Sequence, residues 1–120
     1  MKNLAPDIFR QRFMLEGFYT IEMSREVVKA YLVGLAHHLS LRTYSDPMIY
    51  SPASGMGRDE NAGFDAFVPL IDSGISLYVW SQANFFAVVL FTCKGFEGQA
   101  AIEFTRAYFG VEGELVSASF

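Results

Sequence analysis

Cysteine is nearly absent: the 120-residue chain has one, Cys93, and so can build neither an internal disulfide framework nor a zinc site of several thiolates. A lone free thiol suits a reducing compartment, and the cytoplasm is the expected location. Clusters of positive charge are also missing. Nine Lys and Arg stand against 13 Asp and Glu, for a formal charge of −4. Nucleic acid and anionic membrane surfaces need concentrated positive charge, so neither is an expected partner. No apolar run is long enough to span a bilayer; the longest, Phe85 to Phe91, is far too short. The first residues are polar and broken by Pro6, which is not the pattern of a secretion signal. The only two histidines, His37 and His38, are adjacent. On a helix they project about 100° apart. With no third ligand nearby, no metal is expected.

Aromatic and apolar residues are abundant. Apolar types make up 52% of the chain, with 12 Phe and 6 Tyr. That excludes a disordered chain and leaves apolar surface over for an oligomer contact. The length predicts one domain spanning 1–120.

Residues 1–9 read as a lead-in. From Arg12 to Met23 the pattern alternates, with Phe13, Leu15, Gly17 and Tyr19 on one face and Met14, Glu16 and Phe18 on the other, which predicts a strand. Glu16 is then a carboxylate among apolar neighbours. It is either a glutamate at a strand edge or an active-site group whose desolvation raises its pKa. Ser24 to Leu39 predicts a helix: Ser24 is a good N-cap, Glu26 complements the dipole, and Val27, Val28, Tyr31, Leu32, Leu35 and Leu39 form an apolar stripe. Leu41 to Tyr50 alternates again, but Pro47 demotes it to an edge or broken strand. Ser51 to Gly63 predicts a long loop, a candidate lid or pocket wall without the pattern of a phosphate-binding loop. Phe64 to Ile71, Ile75 to Trp80 and Phe85 to Cys93 predict three more strands, joined by turns at Asp72-Ser73-Gly74 and Ser81 to Asn84. The last of these strands is apolar on both faces and therefore central. Glu97 to Tyr108 predicts a second helix with Ala100, Ala101, Phe104, Ala107 and Tyr108 inward and Gly110 just past its end. The tail Val111 to Phe120 has room for a short final strand. The order β-α-β-β-β-β-α predicts an α+β fold, a two-layer sandwich with two helices on one face of a mostly antiparallel sheet. The uncovered face suits a sheet-packed dimer.

Chemistry concentrates between Asp72 and Cys93. A Ser-His-Asp triad from Ser73, His37 or His38, and Asp72 is a poor fit: there is no G-x-S-x-G elbow, and neighbouring Asp and Ser cannot easily take the outer roles. Cys93 is either a small buried hydrophobe or a functional thiol. The remaining option is that Ser73 attacks the preceding carbonyl, that of Asp72. The ester so formed can undergo β-elimination and hydrolysis, which cuts the chain and turns Ser73 into an N-terminal pyruvoyl group. Such a ketone captures an amine and acts as an electron sink for decarboxylation. A nearby thiol can return a proton to the carbon that loses CO₂.

These residues carry a resemblance. Asp72-Ser73-Gly74-Ile75-Ser76-Leu77-Tyr78-Val79-Trp80-Ser81-Gln82, followed by Phe85-Phe86-Ala87-Val88-Val89-Leu90-Phe91-Thr92-Cys93, resembles the core of the S-adenosylmethionine decarboxylase family in its short prokaryotic form. That family reads Glu-Ser-His, a second His, Thr-Trp-Pro-Glu, an aromatic-rich strand and Phe-Thr-Cys. The spacing from Ser73 to Trp80 and on to Cys93 matches without gaps, and Arg12 to Tyr19 resembles the family's first strand. The resemblance implies cleavage between Asp72 and Ser73, a pyruvoyl cofactor derived from Ser73, Cys93 as proton donor and Glu16 lining the pocket. Tyr78 stands where the family has the histidine that removes the serine α-proton, and a phenol is a weaker base than an imidazole at neutral pH. Gly74 replaces the histidine after the serine. Gln82, near Trp80, replaces the acid that holds the substrate ribose, and an amide offers no charge-assisted pair of bonds to two hydroxyls.

The resemblance implies a pyruvoyl-dependent decarboxylase of polyamine (spermidine) synthesis. Its substrate would be S-adenosylmethionine or a smaller amino acid such as arginine or ornithine. The alternative is an unprocessed, non-catalytic relative acting as a binding or regulatory subunit. The expected assembly is a homodimer or a hetero-oligomer with a paralogue.

Overall fold

The computed structural model describes residues 2–51 and 62–120. The interior of the expected Ser51–Gly63 loop, with its reading as a lid or pocket wall, lies outside the described residues. Along the chain run β1 (Gln11–Phe18), α1 (Arg25–His38), β2 (Met48–Tyr50), β3 (Gly63–Leu70), β4 (Ser73–Trp80), β5 (Phe85–Thr92), α2 (Gly98–Phe109) and β6 (Val116–Ser119). The strands form one six-stranded sheet in the order β2-β3-β4-β5-β1-β6. Every pairing is antiparallel. The architecture is the expected α+β sandwich: α1 lies against β3 and β4, α2 lies against β1, and the two helices touch each other.

Alternation decides which face is covered. Phe13, Leu15 and Tyr19 of β1 and its extension are buried, as are Ile75, Leu77 and Val79 of β4 and Phe86, Val88 and Leu90 of β5. Their neighbours one residue along point to the other face, and there Phe18, Tyr78 and Phe91 stay exposed. β5 lies inside the sheet between β4 and β1, as its two apolar faces require.

The helices begin and end where their sequence says. The Ser24 hydroxyl accepts a hydrogen bond from the Val27 N–H and starts α1. Gly110 ends α2 in a left-handed conformation, φ 62°, which a glycine adopts without strain. Between the helices sits an aromatic seam. The Tyr31 ring lies 4.4 Å from Phe109, and Phe109 lies 4.6 Å from Phe86 on the sheet. The Tyr31 hydroxyl pairs with Thr105 Oγ1 at 2.7 Å in full burial, and burial pushes that phenol's ionisation well above its ordinary range.

Two expectations change in detail. The edge strand after α1 is only Met48–Tyr50, with one isolated bridge from Thr43 to Leu70 before it, because Pro47 interrupts the ladder. On α2, Ala107 is exposed, and Thr105 and Phe109 are buried instead. Thr105 can go inside because Tyr31 satisfies its hydroxyl. The tail does add an edge strand, β6, which pairs with β1.

Candidate functional site

The turn between β3 and β4 is two residues, Ile71 and Asp72, rather than Asp72-Ser73-Gly74. Leu70 and Ser73 already oppose each other across the β3–β4 ladder. A two-residue hairpin usually places positive φ inside the turn. Here neither Ile71 nor Asp72 has it; the left-handed value falls on Ser73, at φ 116°. That conformation is unfavourable for any residue with a Cβ. Gly74 is glycine for another reason: a Cβ there would run into the Phe67 ring.

The strained Ser73 follows a carbonyl that is held in place. The Asp72 carbonyl oxygen accepts a hydrogen bond from the Cys93 N–H at 2.9 Å. The Ile71 N–H donates to the Arg42 carbonyl at 2.8 Å. The Asp72 carboxylate, almost fully buried, accepts from the Arg42 N–H and from its guanidinium, each at 3.4 Å. Burial by itself would raise this carboxyl. The Arg42 hydrogen bonds and charge, with Lys94 nearby, outweigh it and hold the group below the usual carboxylate range. The Asp72–Ser73 peptide is thus clamped on one side by β5 and on the other by the segment after α1. Cys93 is exposed just beyond the end of β5. Asp72, Ser73 and Cys93 therefore lie at one end of the sheet, joined there through the Cys93 main chain.

The other candidates lie elsewhere. Tyr78 pairs with Ala87, and Glu16 pairs with the same Ala87 from the opposite side. The two side chains flank Ala87 on the uncovered face, two strand spacings or roughly 10 Å apart. Glu16 borders a shallow hollow of about 110 Å³ with Met14, Val116, Ser117 and Ala118. Tyr78 borders a larger one of about 190 Å³ with Met48, Tyr50, Asp65, Phe67 and Ser76. Tyr78 is five residues from Ser73 along an extended strand, roughly 16 Å at the usual rise. Trp80 is farther still, its ring 5.4 Å from that of Phe85, and Gln82 is exposed in the β4–β5 turn. The chain therefore presents two separate groups: Asp72, Ser73 and Cys93 at the sheet end, and Glu16 and Tyr78 on the open face, with Trp80 and Gln82 beyond.

Sequence reasoning missed Arg42 and Thr92. Nothing in the sequence marks Arg42, whose partner is thirty positions away. Thr92 was visible within Phe91-Thr92-Cys93 but had no role attached; it stands directly opposite Ser73. His38 stacks on Phe104 with ring centroids 5.2 Å apart. Among the described residues no group of three potential ligands could hold a metal ion, and no helix is long and apolar enough to cross a membrane.

A six-stranded antiparallel sheet carrying two helices, with a Ser-bearing hairpin beside its central strand, defines an S-adenosylmethionine decarboxylase-like α+β sandwich. The particular likeness is to the crystal structure of the adenosylmethionine decarboxylase from Aquifex aeolicus VF5. The TM-score is 0.71 over 94% of this chain and 89% of that one, at 15% sequence identity. Identity at that level shows the fold alone. No family model and no curated protein matches the sequence.

Proposed function

We propose that this chain is a self-processing decarboxylase whose prosthetic ketone is made from Ser73. The observation that carries the reading is the Asp72–Ser73 junction: a serine at φ 116° follows a carbonyl anchored by the Cys93 N–H at 2.9 Å. Backbone strain of this kind costs about 1–3 kcal/mol and persists where it has a use. A donor already on the carbonyl oxygen favours the charge that develops there when a hydroxyl attacks. The residues present fit a serine-derived pyruvoyl group, since the hydroxyl, the acyl carbonyl and a neighbouring thiol all lie at the same end of the sheet. Once formed, that group supplies an electron-accepting carbonyl for loss of CO₂ from an α-amino acid. Cys93 holds the proton that replaces CO₂ on the substrate carbon. Gln82 in place of an acid favours a small substrate such as arginine or ornithine over S-adenosylmethionine; the products of either route feed polyamine synthesis.

The separation of Ser73 and Cys93 from Glu16 and Tyr78 supports a dimer that stacks two uncovered sheet faces. A second copy could then bring its Glu16, Tyr78, Trp80 and Gln82 toward the sheet end of the first. The open face is apolar enough for this, with Phe18 59%, Phe91 43% and Tyr78 38% exposed. The edge strands, three and four residues long, offer little for lateral pairing. A paralogue with the same open face would serve equally.

A second reading has its own support. The Phe67 ring fills the space beside Gly74, and Tyr78 is a weak base. Both fit an unprocessed relative that binds or regulates an active partner. Intact mass under denaturing conditions separates the two. Self-processing gives fragments 1–72 and 73–120, the second blocked at its N-terminus, and Ser73→Ala abolishes the cut. Cys93→Ala leaves the cut in place and removes turnover. A single full-length mass that persists on long incubation sinks the enzyme reading and supports the subunit.

A further inference from the structure

We infer that Thr92 is a positioning residue for the self-cleavage step, holding the Ser73 hydroxyl against the Asp72 carbonyl. This rests on the self-processing reading above. Thr92 is the last residue of β5 and fully buried, and its Oγ1 has no hydrogen-bond partner. A buried hydroxyl without a partner costs about 1–3 kcal/mol and calls for an explanation. Thr92 is flanked in the sheet by Gln11 on β1 and Ser73 on β4. The Gln11 amide is committed: its Nε2 donates to the Phe96 carbonyl and its Oε1 accepts from the Phe96 N–H, both at 3.0 Å. The nearby Asp72 carboxylate is taken by Arg42.

The ladder places Thr92 well for Ser73. The Cys93 N–H bond to the Asp72 carbonyl makes Asp72 and Cys93 a hydrogen-bonded pair. Alternation then makes Ser73 and Thr92 a non-hydrogen-bonded pair, the kind whose side chains approach most closely. Cross-strand Ser–Thr hydrogen bonds are a recurring contact at such positions.

The step concerned is an acyl shift. The Ser73 Oγ bonds to the Asp72 carbonyl carbon, the Asp72–Ser73 C–N bond breaks, and the hydroxyl proton ends on the released Ser73 amine. No other reactant is needed for this rearrangement to balance. The Cys93 N–H steadies the carbonyl oxygen, and Thr92 fixes the direction of the attacking oxygen. The Cys93 main chain, just past β5, and the Thr92 side chain before it would thus act on the two halves of the same bond.

The test follows cleavage of freshly purified full-length chain by intact mass, with and without hydroxylamine, which cuts an ester but leaves a peptide intact. The variants are T92V, which keeps the shape and removes the hydroxyl, and T92S, which keeps the hydroxyl. Thermal unfolding is measured on each in the uncleavable S73A background. The expected result is cleavage about tenfold slower in T92V, the effect of one positioning hydrogen bond. T92S should be close to the wild type, and the T92V melting temperature should be unchanged or higher, because an unsatisfied polar atom has gone. Equal cleavage rates in wild type and T92V overturn the role of Thr92 and leave self-processing standing. Slow cleavage together with a melting temperature lowered by several degrees makes Thr92 structural and also overturns it. A wild type that is never cut, even with hydroxylamine, overturns the self-processing reading and this inference with it. Should T92V fail to fold, T92A lacks the same hydroxyl and is read by the same rate.

Discussion

Replacing Ser73 by glycine should stabilise the fold while ending any self-cleavage, and the size of the gain follows from one dihedral angle. Ser73 sits at φ 116°, where a Cβ is unfavourable and glycine is at ease. Holding a non-glycine residue there costs about 1–3 kcal/mol. Glycine gives back about 0.5–1 kcal/mol through the greater freedom of the unfolded chain. The net expectation is that Ser73→Gly is more stable than Ser73→Ala by about 1 kcal/mol, or roughly 3–6 °C in melting temperature for a domain of this size. Both variants lack the hydroxyl and both remain one chain, so their difference isolates the backbone. Urea or thermal unfolding followed by far-UV circular dichroism measures it. If Ser73→Ala proves as stable as Ser73→Gly, the backbone there is unstrained and the argument that the junction stores strain for cleavage fails.

Three further outcomes are expected. Tyr31→Phe strands the buried Thr105 hydroxyl and should cost about 1–3 kcal/mol, whereas Tyr31→Phe with Thr105→Val should recover most of the loss; a double-mutant cycle by urea unfolding reads the coupling. Gly74→Ala drives a methyl group into the Phe67 ring and should cost about 1–3 kcal/mol, relieved by trimming Phe67 to Leu; urea midpoints of the single and double variants decide it. The Asp72 carboxyl is held below its ordinary value when folded, so its stabilisation is fully present above the unfolded carboxylate pKa. That stabilisation is lost as pH falls through the lower folded value. In a Ser73→Ala background, Asp72→Asn should therefore lower the urea midpoint at neutral pH, and the gap should close on acidification. A gap that stays constant down to strongly acidic pH would show that the carboxylate charge is not what Arg42 stabilises.

Much of the fold is legible in the pattern of residues because burial follows periodicity. The stripe from Val28 to Leu39, the alternation of Ile75, Leu77 and Val79 and the two-faced apolar run of β5 each require a particular element, and each is where it was expected. The misplaced turn has a local cause. Ile71 is apolar and reads as strand, yet it is 43% exposed at the hairpin tip, and the Asp72-Ser73-Gly74 sequence that looks like a turn is already pairing. Thr105 is polar and is absent from the expected inward set; its contact with Tyr31, 74 positions away, satisfies it inside. The candidate site was legible as residue types but not as an assembly. Ser73 and Tyr78 are close in sequence, and an extended strand carries them apart, whereas Glu16 and Tyr78 are distant in sequence and flank the same Ala87 from the two strands beside β5.

The hairpin tip has one more consequence, for what a break there would do to the molecule. A cut between Asp72 and Ser73 removes a link at the rim of the sheet and no rung of it: β3 and β4 keep their pairing from Gly63–Trp80 to Leu70–Ser73, and β4 and β5 keep theirs. The first piece would carry β1, α1, β2 and β3, and the second β4, β5, α2 and β6, so the sheet order interleaves the two. β1 of the first piece is wedged between β5 and β6 of the second. Neither piece owns a complete core, and each is locked in by the other. A nicked chain would migrate as one particle in native gels and come apart only when the whole fold is denatured.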